Sequence, residues 1–290
     1  MRSPLDCVLC LTRQSLDAAR LATSDVDLQR QVLESAFKIF LEKGLTAPAP
    51  FLATLVHRSM REITGVVDPY YAEKKHFNRL SLEQLPRFRR WVEESPTPFE
   101  TLVRLAIAGN SIDIFFGELD EAMIEAAIKA GLDQTLVGSV AELEKAIRDA
   151  DSILYVTDNA GEVVFDRLFI ETLISEDWGK KVTVALRGAP ILNDATLEDA
   201  EEIGLSAIVP TIDNGSDGLG VLFDITSQEF NDAFVGADLV IAKGLANWET
   251  LECDPGPFHP KKIAFLFKAK CKFIAEEVGA QLGDLVVSIR

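Results

Sequence analysis

The stretch ILYVTDNAGEVVFDRLFIETLIS, residues 153–175, joins a short β-branched apolar run directly to an apolar helical segment. Apolar runs of the same kind recur along the rest of the chain, at 181–186, 206–210, 238–242, 262–267 and 284–289. Helical patterns lie between several of them, for example at 195–203. Apolar runs separated by helices are typical of a mostly parallel sheet whose two faces are covered. The sequence therefore predicts an α/β fold with a doubly wound sheet, an α/β/α sandwich.

The residues before this stretch show a different pattern, that of successive amphipathic helices. Over 28–42, apolar residues recur at helical spacing opposite a polar face, and Gly44 supplies a stop. Similar patterns follow, at 51–63, 88–94, 98–109 and 119–130. Strand-like alternation is scarce in this half of the chain.

A capping box at the end of this half marks one further helix. Ser139 is followed three residues later by Glu142, which predicts a helix ending near Ala150. We therefore predict an all-helical N-terminal domain over 1–150 and an α/β metal-binding domain over 151–290. Because no long linker divides the two, we expect them to pack against each other.

Composition excludes several classes of protein. The formal net charge of −17 over 290 residues argues against a nucleic-acid partner, since phosphate backbones are bound by clustered Lys and Arg. No apolar run approaches the roughly 20 residues that span a bilayer. The first residues also lack the apolar core of a secretory signal. We expect a cytoplasmic protein with neither nucleic-acid nor membrane partners; oligomeric state is not readable.

The four cysteines are too few for a disulfide scaffold. Cys7 and Cys10 form a C-x-x-C pair, which fits a redox site, half of a zinc site or a structural turn. No second such pair follows, and no histidine completes a zinc spacing. We favour the structural role, and we expect Cys253 and Cys271 to be isolated packing residues.

Acidic and amide side chains follow the first two apolar runs, where each run gives way to a helix. Asp158 and Asn159 come after the first run and Asp194 shortly after the second. Each could simply cap a helix. However, carboxyl ends of parallel strands meet at one edge of a sheet, so these side chains are expected to converge. Their oxygens suit Mg²⁺ or Mn²⁺ and leave positions for water and a phosphate oxygen. The sequence predicts a phosphoryl site here.

Other polar groups are expected near the same edge. Lys243 ends a later run and Arg187 the second, and either could contact a substrate phosphate, although a solvated loop lysine is an equal alternative. Asn110 and Asp113 interrupt an apolar helix and could face the cleft or form a helix-end turn. The glycine-rich loop at 213–220 could wrap a ligand, but its spacing is not a dinucleotide fingerprint.

Taken together, five ordered motifs resemble the metal-dependent damage-control phosphatases, in particular their archaeal and bacterial branch. The resemblance covers essentially the whole chain. The motifs are Cys7-x-x-Cys10, Gly109-Asn110-x-x-Asp113, Asp158-Asn159-Ala160-Gly161-Glu162, Arg187-Gly188-x-Pro190-x-x-Asn193-Asp194-x-Thr196 and Lys243-Gly244-x-x-Asn247-x-Glu249.

The resemblance implies a helical N-terminal region, an α/β/α domain and a divalent metal, namely Mn²⁺, Co²⁺, Ni²⁺ or Mg²⁺. It implies hydrolysis of phosphomonoesters of small metabolites, including sugar phosphates and damaged phosphorylated cofactor precursors. The metal ligands of the family correspond to Asp158, Asn159 and Asp194. Lys243 and Asn247 match substrate-phosphate contacts, and Glu162 matches a catalytic position close to the metal.

Two routes of hydrolysis remain open at this point. Either a metal-activated water attacks directly, or a carboxylate attacks first, with Asp158 as the candidate nucleophile. The D-x-D-x-[TV] signature of aspartyl-phosphate phosphatases is missing, which weakens the second route. Two other functions also remain as alternatives: a non-catalytic metal- or nucleotide-binding regulatory module, and a group transferase.

Overall fold

The structure of the protein is a computed structural model, and it describes residues 4–109, 121–253 and 261–290. Asn110 and Asp113 lie outside the described residues. The helices are α1 (Asp6–Ala22), α2 (Val26–Lys43), α3 (Ala49–Thr64), α4 (Tyr71–Glu93), α5 (Pro98–Ala108), α6 (Glu121–Leu132), α7 (Val140–Asp149), α8 (Glu162–Ile174), α9 (Leu197–Glu202), α10 (Gln228–Gly236), α11 (Gly244–Cys253) and α12 (Lys272–Glu277). The strands are β1 (Leu136–Gly138), β2 (Ser152–Val156), β3 (Lys181–Leu186), β4 (Thr211–Asp213), β5 (Leu239–Lys243), β6 (Ile263–Lys268) and β7 (Leu285–Ile289).

These seven strands form a single sheet in the order β1-β7-β6-β5-β2-β3-β4. Every neighbouring pair is parallel except β6 and β7, which run antiparallel. The chain order reverses at β2, which has β3 on one side and β5 on the other. Ligands bind beyond the carboxyl ends of the strands at such a reversal. The predicted doubly wound, mostly parallel sheet is confirmed.

Both faces of the sheet are covered by helices. Alternate residues of β2 point into two separate apolar clusters: Ile153 and Tyr155 into one, Leu154 and Val156 into the other. The first cluster includes side chains of α4, α5, α7 and α8, and the second includes side chains of α10, α11 and α12. Because central strands such as β2 and β5 are buried on both sides, their sequences read as continuous apolar runs. The predicted three-layer sandwich is confirmed.

Two strands differ from the prediction. β1 lies within 1–150, so the description of that segment as all-helical is wrong there; β1 pairs with β7 at the sheet edge. The apolar run at 206–210 is not a strand, because the chain turns there and β4 begins just afterwards. Val209 is nevertheless buried. Its apolar character serves core packing from a turn rather than strand pairing.

The first three helices form a smaller cluster of their own around Phe40, Leu52 and Val56. An ion-pair cluster ties them to the sheet, since Asp217 in the loop after β4 accepts from Arg58 at 2.5 Å and also from Arg61. The predicted glycine-rich loop is thereby held against α3. The helical part and the α/β part pack against each other, as expected.

Candidate active site

The loops that follow β2 and β3 are joined through their backbones. Asn159 and Asp194 form an isolated antiparallel bridge. Ala195 N donates to Asp158 O at 2.8 Å, and Ala160 N donates to Asn193 O at 2.8 Å. Two segments about 35 residues apart are thus fixed side by side at the carboxyl edge of the sheet. The backbones of Asp158, Asn159 and Asp194 therefore lie next to one another at this edge.

None of these three residues is a helix cap. The N-cap of α8 is Gly161, and the N-cap of α9 is Thr196, whose capping box is completed by Asp199. The simpler interpretation of Asp158 and Asp194 as caps is therefore wrong. Both side chains are nevertheless buried, at 7% and 2% exposure. Buried carboxylates need compensation, so their placement calls for a charged partner.

Two glycines make room for this loop. A Cβ on Gly244 would lie 2.0 Å from Oδ2 of Asp158, so the carboxylate sits directly on the start of α11. A Cβ on Gly161 would lie 1.9 Å from the ring of Phe77 in α4. Both glycines have positive φ, 78° and 75°. α4 also supplies Asn78, whose Oδ1 accepts from Gly161 N at 2.6 Å. The helical region therefore helps to shape the site.

Asn159 links the acidic side chains of the first loop. Its Nδ2 donates to Oδ2 of Asp158 at 2.9 Å and to Oε2 of Glu162 at 3.0 Å. An amide whose nitrogen bonds two carboxylates turns its oxygen away from them. The amide oxygen of Asn159 is therefore not the atom that contacts these two carboxylates. Asp158, Asn159 and Glu162 form one hydrogen-bonded group.

Arg187 holds Asp194 from the other side. Its Nε donates to Oδ2 of Asp194 at 2.6 Å, and Nη1 donates to Gly220 O at 2.9 Å. Its Nη2 donates to Oδ1 of Asn247 at 3.0 Å. Burial raises the pKa of the Asp194 carboxyl, and Arg187 opposes that rise. Arg187 is only 2% exposed, so it acts on Asp194 rather than at a solvent-facing cleft.

Lys243 is fully buried, which excludes the solvated loop lysine. Its Nζ donates to Glu162 Oε1 at 2.7 Å, to Asp166 Oδ1 at 2.5 Å and to Ala106 O at 2.7 Å. An ammonium group has three donors, and all are used. Burial lowers the pKa of Lys243, but Asp166 and Glu162 outweigh it and the net direction is upward.

Asn247 is likewise buried and bonded within the protein. Besides accepting from Arg187, its Nδ2 donates to Thr157 O at 3.0 Å and to Lys243 O at 2.6 Å. The resemblance places Lys243 and Asn247 at the substrate phosphate. In this structure both side chains are 0% exposed and support other site residues.

Asp166 is a site residue that the sequence reasoning missed. It lies one helical turn after Glu162 on α8, where it also accepts from the hydroxyl of Tyr155 at 2.7 Å. Its Oδ2 has no hydrogen-bond partner among the described residues. Burial raises the pKa of Asp166, and Lys243 opposes that rise. Two acids four residues apart among the apolar residues of the first turns of α8, Glu162 and Asp166, were the available signal.

Several buried carboxylates gather at this edge. Asp158, Glu162, Asp166 and Asp194 are buried there together with Arg187 and Lys243. Their oxygen donors fit a hard divalent cation. Within residues 4–109, 121–253 and 261–290, no three His, Cys, Asp or Glu side chains form a metal-binding group. The predicted ligand set contains only two carboxylates, and its third member is an amide.

Comparison with known proteins shows the family of the chain. Residues 4–286 match the family model described as the damage-control phosphatase ARMT1-like domain. The chain belongs to this family. Membership confirms the family resemblance found in the sequence and, with it, a phosphatase function.

Relatives in the family match along almost their full lengths. A damage-control phosphatase of Archaeoglobus fulgidus is 35% identical over 99% of this chain and 98% of its own. One from Pyrococcus horikoshii is 33% identical over 99% and 97%, respectively. The crystal structure of a DUF89 family protein from Pyrococcus horikoshii superposes with a TM-score of 0.88 at 31% identity, covering 99% of this chain and 98% of that one.

No helix within the described part of the chain is both long enough and apolar enough to cross a membrane.

Proposed function

We propose that this family member is a metal-dependent phosphatase that hydrolyses phosphomonoesters of small metabolites. The observation that carries the proposal is the backbone pairing of the Asp158–Asn159 segment with Asp194, at an edge that gathers several buried carboxylates. Asp158, Asn159 and Asp194 would hold the ion. When bound, a divalent metal supplies Lewis-acid polarisation of a phosphoryl oxygen and lowers the pKa of water.

The remaining residues position these ligands. Arg187 fixes one oxygen of Asp194, and Asn159 fixes Asp158. Lys243 neutralises part of the charge of Glu162 and holds its Oε1, which leaves Oε2 to Asn159. Such bonds orient ligand oxygens before any ligand arrives, which reduces the reorganisation required for catalysis. We propose Asp158 and Glu162 as the catalytic carboxylates and retain both routes of hydrolysis.

The proposed substrates are small sugar phosphates or damaged phosphorylated cofactor precursors. The names of the Archaeoglobus and Pyrococcus relatives support damage control as the role. We propose Mn²⁺, Co²⁺, Ni²⁺ or Mg²⁺ as the ion, since oxygen donors accept all four and availability decides among them. Cytoplasmic location, and the lack of membrane and nucleic-acid partners, stay predictions.

The decisive experiment measures turnover of p-nitrophenyl phosphate with each of the four metals. Wild type should turn over, and Asp158→Ala and Asp194→Ala should each lose turnover by about a thousandfold or more, because the proposed metal site loses a ligand. Asp232→Asn is the matched control, since Asp232 is exposed on α10 and outside the site. A panel of sugar phosphates and cofactor precursors then ranks substrates.

Other outcomes would favour the alternatives. Metal-dependent thermal stabilisation without turnover of any phosphomonoester would support the binding module instead. Transfer of the phosphoryl group to an added acceptor, without release of inorganic phosphate, would support the transferase. Full activity in Asp194→Ala would contradict the proposed metal site itself.

A further inference from the structure

A cavity of about 220 Å³ lies between α1, α11 and α12, away from the carboxylates of the active site. Most of its wall is apolar. The side chains that could bind a ligand include those of Cys7, Glu249 and Cys271. α11 links the two places, because its first residue, Gly244, supports Asp158. Glu249 lies five residues further along, roughly 7 Å of helix rise.

The thiols at this cavity come from distant parts of the chain. Cys7 and Cys10 lie three residues apart in the first turns of α1, which places them on one face. Cys271 is the N-cap residue of α12. Cys10 lies within electrostatic range of both Cys271 and Glu249. Cys271 packs against the second apolar cluster, as expected, but it is not isolated, since it shares the cavity wall with Cys7.

The surroundings of Glu249 are the second observation that points to a bound cation at this cavity. No hydrogen bond or ion pair to its carboxylate is formed by the described residues, although it lines the cavity. Burial alone raises the pKa of Glu249 to about 7. A half-buried carboxylate without a counter-charge is unfavourable unless a cation compensates it. The other charged wall residue, Asp224, is also acidic.

We propose that Cys7, Cys10, Cys271 and Glu249 bind a soft divalent cation of the zinc type, at a site separate from the phosphatase centre. Three sulfurs and one carboxylate oxygen make a four-coordinate set of the kind that Zn²⁺ takes in structural sites. Each thiol loses its proton to solvent as its sulfur bonds the ion, so binding releases up to three protons. Sulfur donors select this ion, whereas the oxygen donors of Asp158 and Asp194 select harder ones.

The binding requires local rearrangement. The described His, Cys, Asp and Glu side chains contain no group of three or more already arranged to hold a metal ion. A cysteine has one side-chain torsion, and moving it between staggered positions is a small change. The cavity supplies the space for that movement. The ion would thereby fasten α1 to α11 and α12, that is, the N-terminal helices to the α/β layers.

The first experiment uses wild-type protein with reduced thiols, to which Co²⁺ is added as a spectroscopic substitute for Zn²⁺. One equivalent should produce a sulfur-to-cobalt charge-transfer absorption, and Zn²⁺ should displace it. Cys10→Ser and Cys271→Ser should each weaken Zn²⁺ binding by about tenfold or more, and the double variant should lose the absorption. Asp194→Ala is the control, and it should keep the absorption whether or not it has phosphatase activity.

The second experiment needs no variant. Zn²⁺ should protect Cys7, Cys10 and Cys271 of wild type against alkylation, mapped by peptide mass spectrometry. Absence of the charge-transfer absorption in wild type would overturn the proposal, and so would equal alkylation of these cysteines with and without Zn²⁺. Retention of the absorption by a folded Cys10→Ser/Cys271→Ser variant would also overturn it. Each outcome is independent of phosphatase turnover.

Discussion

Two regions joined by α11 handle buried charge in opposite ways. At the phosphatase edge, formed by Asp158, Asn159, Glu162 and Asp194, protein donors hold carboxylate oxygens in place. At the thiol cavity, formed by Cys7, Cys10, Glu249 and Cys271, no residue of the described part of the chain donates to the carboxylate. The first region is built for a defined geometry before anything binds, and the second retains freedom to close around a ligand. The comparison shows that burial alone does not create a preorganised site. Hydrogen-bond donors and ion-pair partners of the buried carboxylates create it.

The largest expected effect is at the phosphatase edge. Lys243→Met should lower the free energy of unfolding by about 3–5 kcal/mol, because it leaves Glu162 and Asp166 buried without their shared cation. Chemical denaturation at neutral pH measures this loss. The double variant Lys243→Met/Asp166→Asn should recover part of it, since one uncompensated charge is removed. A Lys243→Met protein as stable as wild type would show that the buried network is not what supports this edge.

The next effect concerns the thiol cavity and depends on pH. The pKa of Glu249 rises from about 4.5 unfolded to about 7 folded, because burial disfavours the charged form. Because the folded pKa is the higher one, the contribution of the protonated Glu249 carboxyl to the free energy of unfolding is complete below about pH 4.5. This contribution is lost as the pH rises through 7. The loss is at most about 3 kcal/mol. Cys7, Cys10, Asp224 and Cys271 around it provide no cation.

Chemical denaturation in the presence of a chelator, from pH 4.5 to 8, measures this pH dependence of the free energy of unfolding. Glu249→Gln should lack this pH-dependent component, so its stability relative to wild type should increase with pH. Glu229→Gln, on the exposed first turn of α10, is the matched control and should follow wild type. If the two variants behave alike, the carboxylate of Glu249 is compensated and the contrast between the two regions fails.

A smaller effect is expected where α11 meets Asp158. Gly244→Ala places a methyl group on the carboxylate and forces an L-residue into positive φ, which costs about 1–2 kcal/mol. Phosphatase activity should fall more than stability does, because Asp158 is displaced. Gly236→Ala is the control, since nothing lies within 4 Å of its added Cβ. Turnover and the free energy of unfolding should both be measured for the two variants. If Gly244→Ala were as active as Gly236→Ala, the close approach of Gly244 to the Asp158 carboxylate would be contradicted.

The smallest effect lies outside both regions, at the rim contact between α3 and the loop after β4. Asp217→Asn removes a partly exposed carboxylate paired with Arg58 and Arg61, and it should cost about 1 kcal/mol or less. Added salt should reduce the difference from wild type, whereas the cost of Lys243→Met should hardly change. Denaturation at low and high salt tests both. A large, salt-insensitive loss at Asp217 would remove the distinction between rim and buried charges.

The sheet and the residues at its carboxyl edge were readable in the sequence because their signals are local. Continuous apolar runs followed by helices report strands buried on both faces. Parallel strands place their carboxyl ends on one edge, so Asp158, Asn159 and Asp194 could be assigned to it without coordinates. The strand predicted at 206–210 shows the limit, since a buried turn and a buried strand have the same apolar composition.

By itself, the sequence therefore determined the layer architecture, the family and the residues at the edge of the sheet. Tertiary structure alone decided which way the long side chains point: Lys243 and Arg187 turn inward to carboxylates, and Asp166 joins them. It also decided that Cys271 lies on the same cavity as Cys7, more than 250 residues away in the chain. The physical reason is that periodicity reports which face of an element is buried. The partner of a buried charge is set by packing between elements distant in sequence.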